Sequence, residues 1–269
     1  MSKAKESCVV VFLAAAMLVL GISVGEAALI GYATDDSNKL YEVDLGSATA
    51  TEIGPLGVFR VEGLALSSAG HLFGTDAVGN LHSINTATGA ATLIGSTGRG
   101  DIEGLDFLGD TLLGSDPGIA SPTAVVVFSI DTSDASTADV VTATSALGYR
   151  RSMTVSDANT VLMRVDDPTS SDNTLASMDL TTGDITIIGD LGLPIWSPTG
   201  LDFAPDGMLY GLCSDGTVVR IDPTDASSVV MGDTGDQLWL SLAISPVPEP
   251  AGLGLIGLAM LAVRRKTRR

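Results

Sequence analysis

Acidic side chains recur at matching places in a repeated apolar strand. Glu62 and Glu103 each stand immediately before a Gly-Leu pair, and Asp106 and Asp202 each follow one. Carboxylates brought together from separate strands are hard oxygen donors of the kind that hold Ca²⁺, which takes six to eight oxygens. In the remaining copies the sequence offers Arg150-Arg151, Thr199 and Ser241 instead, so the ring of acids is incomplete. The competing expectation is that these acids accept hydrogen bonds in turns. Arg150 and Arg151 form the only basic doublet in an acidic body. They can clamp a carboxylate or a uronic-acid sugar, or pair with the many acids around them. Trp196 and Trp239 are either stacking platforms for sugars or packing anchors. Cys213 follows an apolar strand and reads as a small packed hydrophobe. His71 and His82 show no relation to it. No Ser-His-Asp spacing, phosphate-binding glycine loop, zinc motif or EF-hand loop is present, so no catalytic residue is assigned.

These residues are carried on a repeat. Short strands preceded by Gly or Ser begin at Gly63 (GLALS), Gly104 (GLDFL), Ser152 (SMTVS), Gly200 (GLDFA) and Ser241 (SLAIS). Their second residues are Leu64, Leu105, Met153, Leu201 and Leu242, spaced 41, 48, 48 and 41 apart. Each of the first four copies is followed by further alternating stretches, for example HLFGT, NLHSIN and AATLIG after the first. Turn pairs such as Thr182-Gly183, Asp206-Gly207 and Asp215-Gly216 punctuate them, the pattern of antiparallel meanders. About four strands per 40–50 residues is the spacing of β-propeller blades. The fifth copy is cut short, and its missing strands stand at the other end as ALIGYA, KLYEVD and ATEIG. The C-terminal strand joined to these three completes a fifth blade and removes the exposed sheet edges of an open array. The expectation is therefore an all-β fold, a propeller of five four-stranded blades over residues 28–246. A larger ring with merged blades and a β-sandwich remain as alternatives. The repeats resemble propellers carrying Gly-Leu-Asp/Ala-Phe/Leu and Leu-Tyr/Phe-Gly motifs. Asp44, Asn85, Asp131, Asp179 and Asp222 end the third strand of successive blades, a recurrence that points to Asx-turns.

Between Ala28 and Val247 seven basic residues face 29 acidic ones, a net charge of −22. So acidic a surface repels nucleic-acid phosphate and anionic membrane, and excludes both as partners of the body. Cations are its natural counter-charges, and solubility outside the cell is the simpler use of the charge.

The two ends read as addresses. Lys3 and Lys5 precede CVVVFLAAAMLVLGI and then SVGEAA, the tripartite form of a secretory signal peptide. Cleavage between Ala27 and Ala28 by signal peptidase discards residues 1–27. Residues 247–269 hold Pro248-Glu249-Pro250, then 13 residues from Ala251 to Val263, then Arg264, Arg265, Lys266, Arg268 and Arg269. Such an apolar segment makes only ~20 Å of helix at 1.5 Å per residue. The basic cluster favours the cytoplasmic side, so the segment holds the membrane transiently. This tail resembles the PEP-CTERM sorting signal, which joins a VPEP motif, a Gly- and Leu-rich helix and an Arg-rich end. The resemblance implies cleavage near Pro248–Pro250 by an exosortase-type protease in a bacterium that makes exopolysaccharide. It also implies export across the inner membrane, then residence at the cell surface or in the extracellular matrix.

The function expected is non-catalytic binding or structure, with extracellular polysaccharide or a surface protein as partner and no cofactor. The alternative is a cation-dependent propeller hydrolase or lyase on extracellular sugar derivatives, with Ca²⁺ at Glu62 and Glu103.

Overall fold

A computed structural model describes residues 28–115, 124–144, 150–157, 159–166, 173–193, 198–235 and 237–245, and Leu29–Pro248 forms one compact unit. The chain is all-β among these residues. It opens with an antiparallel meander of β1 (Ile30–Asp35), β2 (Lys39–Asp44) and β3 (Thr49–Pro55). Four complete meanders follow. The first is β4 (Val61–Leu66), β5 (Leu72–Asp76), β6 (Asn80–Ile84) and β7 (Ala91–Ser96). The next is β8 (Gly104–Leu108), β9 (Thr111–Ser115), β10 (Ala124–Ile130) and β11 (Thr137–Thr144). Then come β12 (Arg150–Asp157), β13 (Thr160–Asp166), β14 (Asn173–Asp179) and β15 (Ile185–Asp190). The last is β16 (Gly200–Phe203), β17 (Leu209–Leu212), β18 (Thr217–Ile221) and β19 (Ser228–Asp233).

β20 (Trp239–Ile244) starts no new sheet. It pairs antiparallel with β1, Gly31 opposite Ile244 and Thr34 opposite Ser241, and becomes the inner strand of the first blade. The inner strands touch in a closed circle: β4 with β8, β8 with β12, β12 with β16, β16 with β20, and β20 with β4. The result is a five-bladed β-propeller, closed by pairing of the chain's two ends as its complementary repeats require. Among the described residues each of the two 48-residue intervals holds the four strands of a single blade. One strand was not legible in the repeat: β11, whose sequence TADVVTAT lacks the Gly that ends its counterparts.

Radial blades bury both faces, so their middle strands read as apolar runs instead of clean alternations. Leu209 to Leu212 are all buried, whereas β7 on the rim exposes Leu93. The core divides into five clusters, one between each pair of neighbouring blades. Tyr41 and Val43 meet Tyr210 and Val218, for example, and Leu81 and Ala65 meet Leu112 and Phe128. Hydroxyls tie blade to blade across these seams. Thr34 donates to the Val61 carbonyl at 2.7 Å, Thr75 to that of Ile102 at 2.9 Å, and Thr199 to that of Trp239 at 3.0 Å.

The five turns that join third to fourth strands obey one rule. Asp44, Asn85, Asp131, Asp179 and Asp222 each accept a backbone N–H two residues on, at 2.7–2.9 Å. These are the Asx-turns expected from the recurrence. The hydrogen bonds hold the Asp131, Asp179 and Asp222 carboxyls below the ordinary carboxylate range.

Candidate functional site in the central channel

Leu64, Leu105, Met153, Leu201 and Leu242 stand at one level of the five inner strands and are all buried. They close the channel with apolar side chains. Beside them lies a small recess, lined also by Glu103, Ser152, Thr199 and Ser241, with room for about one water molecule. It is too small for a sugar ring with its substituents.

Glu62 lies at this mouth, 9% exposed, with its Oε1 2.5 Å from Arg60 Nη2. Burial pushes its carboxyl up to about 8, helped by a hydrogen bond with Asp101 and by the charges of Asp101 and Glu103. Arg60 pulls the other way and loses, because its half-exposed guanidinium is screened by water. The Glu103 charge reaches Glu62 from the neighbouring inner strand, and Asp101 and Arg60 also engage the Glu62 carboxyl. Among the described residues no three His, Cys, Asp or Glu side chains are grouped to hold a metal. The positions expected to complete the ring do other work. Thr199 donates to backbone carbonyls, and Ser241 Oγ bonds to Thr34 Oγ1 at 2.5 Å. The side chains of Arg150 and Arg151 lie outside the described residues, as do Trp196, Ala27, Pro248, Glu249, Pro250, Arg264 and Arg265. Ala28 is the first of the described residues.

Asp106 and Asp202 occupy equivalent places one residue beyond the apolar ring. Each fastens the next inner strand: Val155 N–H donates to Asp106 Oδ2 and Ile244 N–H to Asp202 Oδ2, both at 2.6 Å. Thr154 stands between them at the same level of β12.

Trp239 is an anchor, fully buried, with Nε1 donating to Thr234 Oγ1 at 2.9 Å and its ring edge-on to Tyr41 at 4.9 Å. Cys213 is buried in the cluster between the β12–β15 blade and the β16–β19 blade. His71 is exposed, while His82 is buried with Nε2 2.9 Å from Asp76 Oδ2. Asp76 and His82 repeat the place of Asp35 and Tyr41, whose hydroxyl donates to Asp35 Oδ2 at 3.0 Å. Both pairs share a spacing of six residues, which aligned hairpins would have exposed. Arg164, fully buried, donates from Nη1 to Asn173 Oδ1 at 2.8 Å. It stands where other second strands carry Thr34, Thr75 or Ser115, and it was missed because it looks like one more strand residue.

No family model and no curated protein sequence matches the chain. Its fold is similar to that of a chain in the crystal structure of a nidogen/laminin complex, with TM-score 0.54 and 14% identity over 83% of each chain. A chain of Kuenenia stuttgartiensis hydrazine synthase is similar at TM-score 0.43 and 14% identity, over 75% of this chain and 64% of that one.

Proposed function

We propose that this protein is exported, sorted to the cell surface through its C-terminal tail, and acts there as a non-catalytic binding or structural propeller. The observation that carries the binding half is the apolar ring of Leu64, Leu105, Met153, Leu201 and Leu242. With the channel filled at this level among the described residues, the outer surfaces are what the propeller offers a partner. The similar chain in the nidogen/laminin complex belongs to an assembly of two proteins, which accords with recognition by surface. The sorting half rests on the tripartite N-terminus and on Pro248-Glu249-Pro250 with its apolar and Arg-rich sequel. Signal peptidase and an exosortase-type protease are its processing partners, and polysaccharide or surface protein its lasting ones.

The test is the intact mass of the protein released by its native host, with metal analysis of the same sample. An N-terminus near Ala28, a C-terminus near Pro248 and no stoichiometric metal are expected. A retained Arg-rich end overturns the sorting reading. The second reading, a hydrolase or lyase using Ca²⁺ at Glu62 and Glu103, takes first place if one Ca²⁺ per chain is tightly held and activity vanishes with Glu103→Ala.

A further inference from the structure

Two carboxyl groups meet across one hydroxyl in the middle of the ring. Asp106 on β8, Thr154 on β12 and Asp202 on β16 stand one residue beyond the apolar ring, and Ala65 and Ala243 complete their circle. Thr154 Oγ1, fully buried, lies 2.9 Å from Asp106 Oδ2 and 3.1 Å from Asp202 Oδ1. A hydroxyl carries one hydrogen. It satisfies one carboxylate, and the other oxygen approaches it favourably only by bringing a proton of its own. The remaining contacts of both groups are backbone donors. Val155 and Phe107 N–H serve Asp106, and Ile244 and Phe203 N–H serve Asp202. None of these can release a proton to settle the pair.

The other charged groups on the five inner strands and their flanks are accounted for. Glu62 lies at the start of β4 with Arg60, and Asp101, which bonds to Glu62, and Glu103 stand just before β8. Asp110 follows β8 in an exposed turn, and Asp206 follows β16, accepting from the Tyr210 hydroxyl. β12 also carries Arg150, Arg151 and Asp157, and β20 has no titratable side chain. The charge that acts on Asp202 is that of Asp106.

We propose that Asp106 and Asp202 hold a single proton between them across Thr154, and that this proton is a pH-sensitive latch on the closing strand β20. While the proton is present, three inner strands are joined through one hydrogen-bonded chain, and Asp202 keeps its grip on the Ile244 amide. Its loss sets two half-buried negative charges against one hydroxyl, and the joint loosens. Burial pushes Asp106 up to about 6, and burial with the charge of Asp106 pushes Asp202 well above the ordinary range. Both shifts are upward. The stabilisation is therefore complete below the unfolded value near 4 and is lost as pH rises through the folded values, from about 6 upward. The latch is independent of how the tail is processed.

The experiment is a pH titration of the full-length chain carrying ¹³C at its aspartate carboxyl carbons, with Asp106→Asn and Asp202→Asn for assignment. One carbon of the pair should hold its protonated position at pH 6–7, where surface aspartates are ionised. If both carbons titrate below about pH 5, the shared proton does not exist. Amide exchange in 239–244, corrected for its intrinsic pH dependence, supplies the second readout. Its protection should fall by up to tenfold per pH unit while the pair ionises. Glu62→Gln should keep that fall and Thr154→Val should abolish it. Protection that stays level through the pair's titration overturns the latch. Should either Asn variant fail to fold, the wild-type carbon spectrum and exchange profile still decide.

Discussion

Replacing Gly200 by Ala tests how tightly the ring is closed. Gly200 lies on β16, and a Cβ built there would fall 2.4 Å from Leu242 N, 2.5 Å from Leu242 Cβ and 2.7 Å from Ser241 C. All three atoms belong to β20, and none is the free end of a flexible side chain. An ordinary carbon contact needs about 3.5 Å or more, so β20 must retreat by roughly 1 Å. That movement also strains its pairing with β1 and the Ile244 amide held by Asp202. Overpacking of this kind costs about 1–3 kcal/mol, and the immovable backbone puts Gly200 at the upper end. Against this, Ala loses less chain entropy than Gly and returns about 0.4–1 kcal/mol. The net expectation is a loss of about 2 kcal/mol, read from urea unfolding of wild type and variant. Gly46→Ala is the control, since its Cβ meets only Asp44 Oδ1 at 3.3 Å. It should stay within about 0.5 kcal/mol of wild type. A Gly200→Ala protein as stable as the control refutes the tight packing of β16 on β20, and with it the argument for Gly in this repeat.

Three further outcomes are expected. Glu62 is raised to about 8, so it stabilises the fold at low pH and that contribution fades as pH climbs through 8. Glu62→Gln should flatten the fall in urea midpoint between pH 6 and 9, and an unchanged slope removes Glu62 as its source. Trp239→Phe keeps a ring against Tyr41 but loses the bond to Thr234, which should cost about 1 kcal/mol in urea unfolding. Stability equal to wild type would mean that the indole N–H contributes nothing. Cys213 is 2% exposed, so a thiol reagent should label it at the rate of unfolding, and rapid labelling of the native protein would contradict its burial.

The ring itself was legible in the residues. A Gly-Leu strand recurring at 41- and 48-residue intervals marks the blades. Truncation after SLAIS, with three orphan strands at the other end, announces closure by β20. The Asx-turns were equally plain, because an Asp or Asn that ends the third strand of each blade and bonds its own backbone is a local feature. β11 escaped because its TADVVTAT lacks the Gly that follows the apolar residues of its counterparts, and its pairing with β10 is what identifies it as a strand.

The chemistry of the acids depended on distance. Equivalence in the repeat could say that Glu62 resembles Glu103 and Asp106 resembles Asp202, but not which neighbours each would meet. Folding sets Arg60 and Asp101 against Glu62 and raises its carboxyl above the ordinary range. It also sets a fully buried Thr154 between half-buried Asp106 and Asp202, which lie 96 residues apart. Periodicity is a one-dimensional property and survives in the string of residues. Protonation depends on burial and on charges a few ångströms away, and those exist only once the ring has closed.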